Sequence, residues 1–257
     1  HHTAQEVLPV ADKILHPSVS NLGDVMTSGA GVAFIFSLEF LGRFDKYLST
    51  LASVSLISDM MPLKSYNRNL LRLVFKNYIN GEFLQFDLLK EDEPFNENTI
   101  GMKIAPKINA VGRLLENDEI NNVVKLFVST DRQIILNYID WLNNINEERK
   151  NISKECIETV PEIDASQKFV IYKTDIKEGL LGLVANHICS KYQIPTIVLT
   201  LDSTGECYKG SCRAPEGFNV VDAFNEIKDT LAAYGGHALA GGCSVSVSLL
   251  LIFLYFL

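Results

Sequence analysis

Apolar residues ring nearly the whole circumference of a helix over residues 31–44 (GVAFIFSLEFLGRF) and again over residues 47–57 (YLSTLASVSLI), which predicts two buried helices of an α/β core. Ahead of them, a short apolar run at residues 13–15, stopped by Pro17, suits a strand. Asp59 follows the second helix in Ser58-Asp59-Met60-Met61-Pro62-Leu63, where the proline keeps the helix from running on and leaves a carboxylate at an element boundary. On that fact alone Asp59 is a cap, a solvated turn residue or a ligand. Residues 67–80 read as an amphipathic helix closed by Gly81, and residues 82–97 as an acidic, irregular connection. Pro106, Asn109 and Gly112 interrupt any regular period in residues 104–114, while Lys103, Lys107 and Arg113 set three cations beside small residues. Such a segment is either a loop that hugs a phosphate backbone or a solvated connector.

Thr130-x-x-Gln133 reads as a capping box opening the longest helix, residues 131–160. Ile135, Tyr138, Leu142, Ile145, Arg149, Ile152 and Cys156 alternate at spacings of three and four, one stripe along one face. With Arg149 inside it, the stripe is too impure for a free coiled coil and fits a connecting helix of about 40 Å, ended by Pro161. Beyond it the texture becomes βα alternation. Residues 168–173 and 195–201 predict two parallel strands joined by a helix over residues 179–192. Residues 206–213 predict another strand, and Asn219 caps a helix over residues 220–231. The expected division is residues 1–115, connecting helices over 116–160, and a smaller α/β domain over 161–257.

Composition narrows the function more than the fold. At 257 residues and a formal charge of −8, the chain is no sequence-blind polyanion binder, so any nucleic-acid contact needs a local basic patch. Five cysteines with no C-x-x-C pair fit a reducing compartment, with cytoplasm the default. The chain begins His1-His2-Thr3, without an initiator Met or signal pattern, which suggests a piece of something longer. Residues 248–257 are apolar without a break but fall short of the roughly 20 residues needed to cross a bilayer. They read as a truncated or frame-shifted end or a closing strand, not as a membrane anchor.

The candidate chemistry lies in two neighbouring segments. Gly235-Gly236-His237-Ala238-Leu239-Ala240-Gly241-Gly242 can bring backbone N–H groups close to a ligand, with one imidazole among them. Lys209-Gly210-Ser211-Cys212-Arg213 supplies an ammonium, a hydroxyl and a planar fork suited to bidentate contact with a phosphodiester. The first segment alone is equally a tight turn between core elements; together the two point to a phosphate cradle.

Taken in order, His1-His2, P-x-A-D-K-I-L-x-P, G-V-A-F, S-D-M-M-P-L, I-A-P-K-I-N-A-V-G-R, E-G-L-L-G-L-V-A, K-G-S-C-R and G-G-H-A-L-A-G-G give a chain that resembles the RecJ family, single-strand-specific exonucleases of the DHH phosphoesterase superfamily. The resemblance implies an α/β fold: the C-terminal part of a DHH phosphoesterase domain (1–115), a long connecting helix, and a DHH-associated substrate-binding domain (161–257). It implies hydrolysis of single-stranded DNA from the 5′ end in repair and recombination, with two Mn²⁺ or Mg²⁺ ions as cofactors. His1 and Asp59 would be metal ligands and His2 a catalytic, phosphate-facing group; Asn109, Arg113, Lys209, Ser211, Arg213, Gly236 and His237 would hold the nucleic acid. The partners implied are single-stranded DNA and, beyond it, a single-strand-binding protein or helicase, with the protein a monomer that does not engage a membrane.

The chain departs from the family pattern in three ways. It contains no D-x-D, so His1, His2 and Asp59 cannot ligate two ions, and the chain by itself is expected to be inactive. Lys177 stands where RecJ-like sequences commonly carry His, and the apolar tail follows the glycine motif directly. Competing readings are an oligonucleotide or cyclic-dinucleotide phosphodiesterase on the same domains, or a non-catalytic single-strand-binding module.

Overall fold

Ser28 starts the first helix by accepting a hydrogen bond from the Gly31 N–H at 3.1 Å, and Gly42, at φ 63°, stops it, so α1 spans Gly29–Leu41 in the computed structural model. The structure describes residues 8–17, 19, 26–164 and 166–256. Two units divide the chain: one holds residues 1–109 and 121–143, the other residues 110–120 and 144–257.

Among the described residues the first unit is helical. Asp45 caps α2 (Lys46–Ser58), which is followed by α3 (Ser65–Asn77) and α4 (Leu84–Lys90). Next, α5 (Glu97–Thr99) and a π turn (Ile100–Ile104) run directly into α6 (Ala105–Leu114), and α7 (Asn121–Val128) leads to α8 (Arg132–Glu158). Phe86 is fully buried, with the rings of Tyr47, Phe83, Phe95 and Phe127 centred 5.4 to 6.4 Å away.

Several expectations fail here for local reasons. Residues 13–15 join no strand. Helix α1 is not buried all round: Gly31 and Phe34 are, whereas Phe36 and Phe40 stack on each other in solvent, so an all-apolar circumference overstates burial. The acidic stretch 82–97 contains α4, whose Phe86 and Leu89 anchor it to the core. Residues 104–114 are helical, not irregular. Pro106 is tolerated because the preceding turn is widened: the Ala105 N–H reaches back five residues to the Ile100 carbonyl, the kind of adjustment that accommodates a proline ring and its missing N–H. Asp131, not Thr130, caps α8, its carboxylate accepting from the Gln133 and Ile134 N–H groups at 2.8 and 3.0 Å.

The second unit carries the sheet. Strands β1 (Val170–Lys173), β2 (Thr196–Leu201), β3 (Cys207–Arg213), β4 (Ala233–His237) and β5 (Ala240–Ser246) lie in the order β1-β2-β3-β5-β4. The first two are parallel and joined by α9 (Glu178–Tyr192), as the βα texture predicts; the other pairings are antiparallel. One sheet face, through Val198, packs on Leu181, Val184, Ala185 and Ile188 of α9. The other, through Ile197, Leu199, Cys212, Cys243 and Val245, packs on α10 (Val220–Glu226) and α11 (Leu250–Phe256). Asn219 caps α10 as expected. The apolar tail is a helix, not a closing strand, and it inserts Phe253 into this core. All five cysteines are free thiols; burial pushes those of Cys212 and Cys243 up to about 12, so they stay protonated packing groups. No helix among the described residues is long and apolar enough to cross a membrane.

Candidate nucleic-acid interface

The glycine stretch is a β-hairpin, not a free loop. β4 pairs with β5 through Gly235↔Gly242, Gly236↔Gly241 and His237↔Ala240, turning at Ala238 and Leu239. Two of its glycines are needed by the fold. A Cβ on Gly236, at φ 149°, would meet the Ala240 carbonyl oxygen at 2.3 Å, and one on Gly241 would meet Val220 at 2.7 Å and Phe224 at 2.9 Å. Gly235 and Gly242 are different: a Cβ would meet nothing within 4 Å at the first, and at the second only the Gly210 carbonyl at 3.6 Å.

Strand alternation decides which side chains share a face. β3 pairs with β5 through Lys209↔Ser244, Ser211↔Gly242 and Arg213↔Ala240, so Lys209, Ser211 and Arg213 project on the α9 face of the sheet. Following the same registers into β4 puts His237 in the row of Arg213, and Gly235 in the row of Ser211. The strip of sheet beside the Ser211 hydroxyl is therefore bare of side chains. Arg213 and His237 lie in its neighbouring row, and β4 is exposed along its whole length.

Helix α9 is fitted to this face by two glycines three apart. A Cβ on Gly182 would fall 2.7 Å from Arg213 Nη2 and 3.2 Å from Ser211 Oγ, and one on Gly179 would fall 2.4 Å from the Arg113 carbonyl oxygen. Both glycines of E-G-L-L-G thus let backbone pack where a side chain would collide, and Arg113 and Arg213 are set against the same helix. Arg213 Nη1 donates to Ser211 Oγ at 3.1 Å and to its neighbour's carbonyl on Cys212 at 2.7 Å, and Arg113 Nη1 donates to the Gly179 carbonyl at 3.0 Å. Neither guanidinium makes an ion pair with a carboxylate among the described residues. Burial lowers the pKa of both; Arg113 is lowered further by the charges of Arg149 and Arg213. An arginine stays charged regardless, so the result is a concentrated positive field without a local counter-charge.

The remaining basic candidates are partly committed. Lys209 Nζ donates across the strand to Ser244 Oγ at 3.1 Å, and Lys177 Nζ donates to the Leu114 carbonyl at 2.7 Å, capping the last turn of α6. In the first unit, Asn109 Nδ2 donates to Ser58 Oγ at 3.1 Å, and Asn109, Ser58 and Asp59 border one cavity of about 250 Å³. Asp59 is exposed at the C-terminal end of α2, its carboxylate accepting from Ser55 Oγ at 3.2 Å. His1 and His2 lie outside the described residues. No group of three or more His, Cys, Asp or Glu among the described residues could hold a metal ion, so Asp59 does not make a metal site with any of them.

Sequence reasoning passed over the packing role of Gly179 and Gly182 and treated Arg149 as an impurity in a stripe. The signal was present: the buried positions of α8 continue the three-four spacing through Asn146, Arg149 and Ser153, polar where a packing seam would be apolar.

Comparison with known proteins agrees with this architecture. The DHHA1 domain model matches residues 166–251, covering the sheet and the helices around it, which makes the second unit a DHHA1-bearing module. Over nearly its whole length the chain belongs with the RecJ family. It is 31% identical over 256 residues to the single-stranded-DNA-specific exonuclease RecJ of Bacillus subtilis, covering 95% of this chain and 32% of that protein. To RecJ of Escherichia coli it is 26% identical over 282 residues, covering 95% and 48%. The crystal structure of RecJ in complex with Mn²⁺ from Thermus thermophilus superposes with a TM-score of 0.87 at 25% identity, covering 100% of this chain and 39% of that one. The Mg²⁺ complex from the same organism gives 0.82, covering 94% and 39%. The chain thus spans about a third to a half of the curated relatives it matches.

Proposed function

We propose that this chain is part of a single-stranded-DNA exonuclease that digests from the 5′ end, and that its second unit holds the sugar–phosphate backbone. The observation that carries the reading is the half-buried pair Arg113 and Arg213, without a carboxylate ion pair among the described residues and held against Gly179 and Gly182 of one helix. Guanidiniums of this kind are arranged to take an external anion, and planar forks match phosphate bidentately. Ser211, His237 and the bare strip at Gly235 and Gly242 let a strand approach the sheet beside them. Gly236 serves by shaping the hairpin, and Lys209 adds charge in the row of Ser244.

In this reading hydrolysis uses two divalent ions, Mn²⁺ or Mg²⁺, as in the RecJ structures that contain them, and Asp59, with His1 and His2, belongs to their surroundings near Asn109. The described residues do not complete such a site, so the chain alone binds without hydrolysing. The test extends the chain to the length of its relatives, adds Mn²⁺, and offers 5′-end-labelled single strands, duplex and dinucleotide side by side. Progressive loss of the single strand from its 5′ end is expected. Hydrolysis of dinucleotide alone, with single strands intact, assigns the chain to the small-substrate phosphodiesterases instead.

A further inference from the structure

The buried face of α8 runs through residues 135, 139, 142, 146, 149, 153 and 156, alternating steps of four and three. Ile135, Ile139 and Leu142 fill it in the first unit, whereas in the second it passes through Asn146, Arg149 and Ser153 before returning to Cys156. Polar groups in a packing seam are costly unless they are hydrogen-bonded. Asn146 Oδ1 accepts from Arg149 Nη2 at 3.0 Å, but Arg149 Nε and Ser153 Oγ are both buried and have no partner. Ser153 is only 9% exposed. These two atoms lie one helical turn apart on the same face, so their missing partners point to one place.

The charges point there too. Arg149 is close enough to Arg113 to disfavour its charge, as is Arg213, and none of the three forms an ion pair with a carboxylate among the described residues. Glu147 offsets Arg149 only in part and is itself paired with Lys150 at 2.6 Å. Three guanidiniums crowded without a counter-ion repel one another. An anion between them would remove that cost and give Arg149 Nε and Ser153 Oγ their acceptor.

We infer that α8 is itself a binding element: Arg149, supported by Asn146, and Ser153 complete with Arg113 and Arg213 a site for a phosphoryl group. The site rests on the strand-binding reading above but adds a wall from the connecting helix. Its ligand is a phosphate of a bound strand or a free phosphate ion, which share the same three-oxygen, anionic chemistry.

The experiment uses the full chain, a fluorescent 20-nucleotide oligo-dT strand over a series of NaCl concentrations, and thermal unfolding with and without inorganic phosphate. Arg149→Met should weaken strand binding at least fivefold and make the slope of log K against log [salt] shallower by about 0.7, one phosphate contact on a single strand. It should also abolish any rise in unfolding temperature produced by phosphate, without lowering the phosphate-free midpoint. If methionine destabilises the fold, Arg149→Gln keeps a polar neighbour for Asn146 and gives the same reading. Unchanged affinity and slope, with a lowered midpoint, would make Arg149 a structural residue and overturn the inference. If Arg213→Ala weakens binding while Arg149→Met does not, the sheet-borne shelf stands and only the helix wall falls; if neither does, both fall. Loss of the phosphate effect alone, with strand affinity intact, would assign the site to the free ion.

Discussion

One helix, α6, donates a cation to each of two clusters that treat charge in opposite ways. Near its start, Lys107 is almost completely buried and pairs with Glu91 at 2.8 Å; Lys103 on the preceding turn pairs with the same carboxylate at 2.9 Å, and Lys90 Nζ donates to the Glu91 carbonyl at 3.1 Å. The two lysine hydrogen bonds hold the Glu91 carboxyl down at about 2. At the other end of α6, Arg113 joins Arg149 and Arg213, and no described carboxylate answers them with an ion pair. A cation that has its counter-ion inside the protein is part of the fold, and one that lacks it is available to a ligand. Within I-A-P-K-I-N-A-V-G-R the lysine belongs to the first kind and the arginine to the second.

The largest expected effect breaks the arginine cluster from below. Gly179→Ala places a Cβ 2.4 Å from a backbone oxygen of Arg113, which cannot rotate away, so the overpacking cost should approach ~3 kcal/mol of stability by chemical denaturation, with strand binding weakened as Arg113 shifts. A fully stable variant that binds as tightly as the parent would show that α6 and α9 need no such close approach.

A smaller effect separates the other cluster. Glu91→Gln removes the counter-ion of Lys107 and should lower stability by ~1 kcal/mol at neutral pH, the low end for a pair whose carboxylate is half exposed, while leaving strand binding unchanged. The sign follows from the depressed carboxyl: its contribution is present above the ordinary value of 4.5 and is lost as pH falls through about 2. The variant should flatten that part of the acid unfolding profile. An unaltered acid limb would mean that Glu91 is solvated and the lysines are stabilised by something else.

The sequence was most legible where pattern and packing coincide. The parallel β1-α9-β2 unit, the β3 strand and the Asn219 cap follow from apolar runs and a single capping residue. It was least legible where tertiary contacts override local signals. Pro106 sits in a helix because a π turn makes room for it, and Gly236 and Gly241 are there for a hairpin, not for a loose loop. The candidate site was partly legible: Ser211 and Arg213 share one face by simple alternation, but nothing local says that Lys107 finds Glu91 sixteen residues earlier or that Arg149 turns toward Arg113. Ion pairing over that separation is a property of the folded chain.

The most direct measurement compares the salt dependence of oligo-dT binding for the parent chain, Lys107→Met and Arg213→Ala. The account predicts that Arg213→Ala costs ~1–3 kcal/mol of affinity and makes the log K against log [salt] slope shallower by about 0.7, whereas Lys107→Met leaves both unchanged. Equal losses from the two variants, or a loss from Lys107→Met alone, would contradict the division between cations that hold the fold and cations that hold the strand.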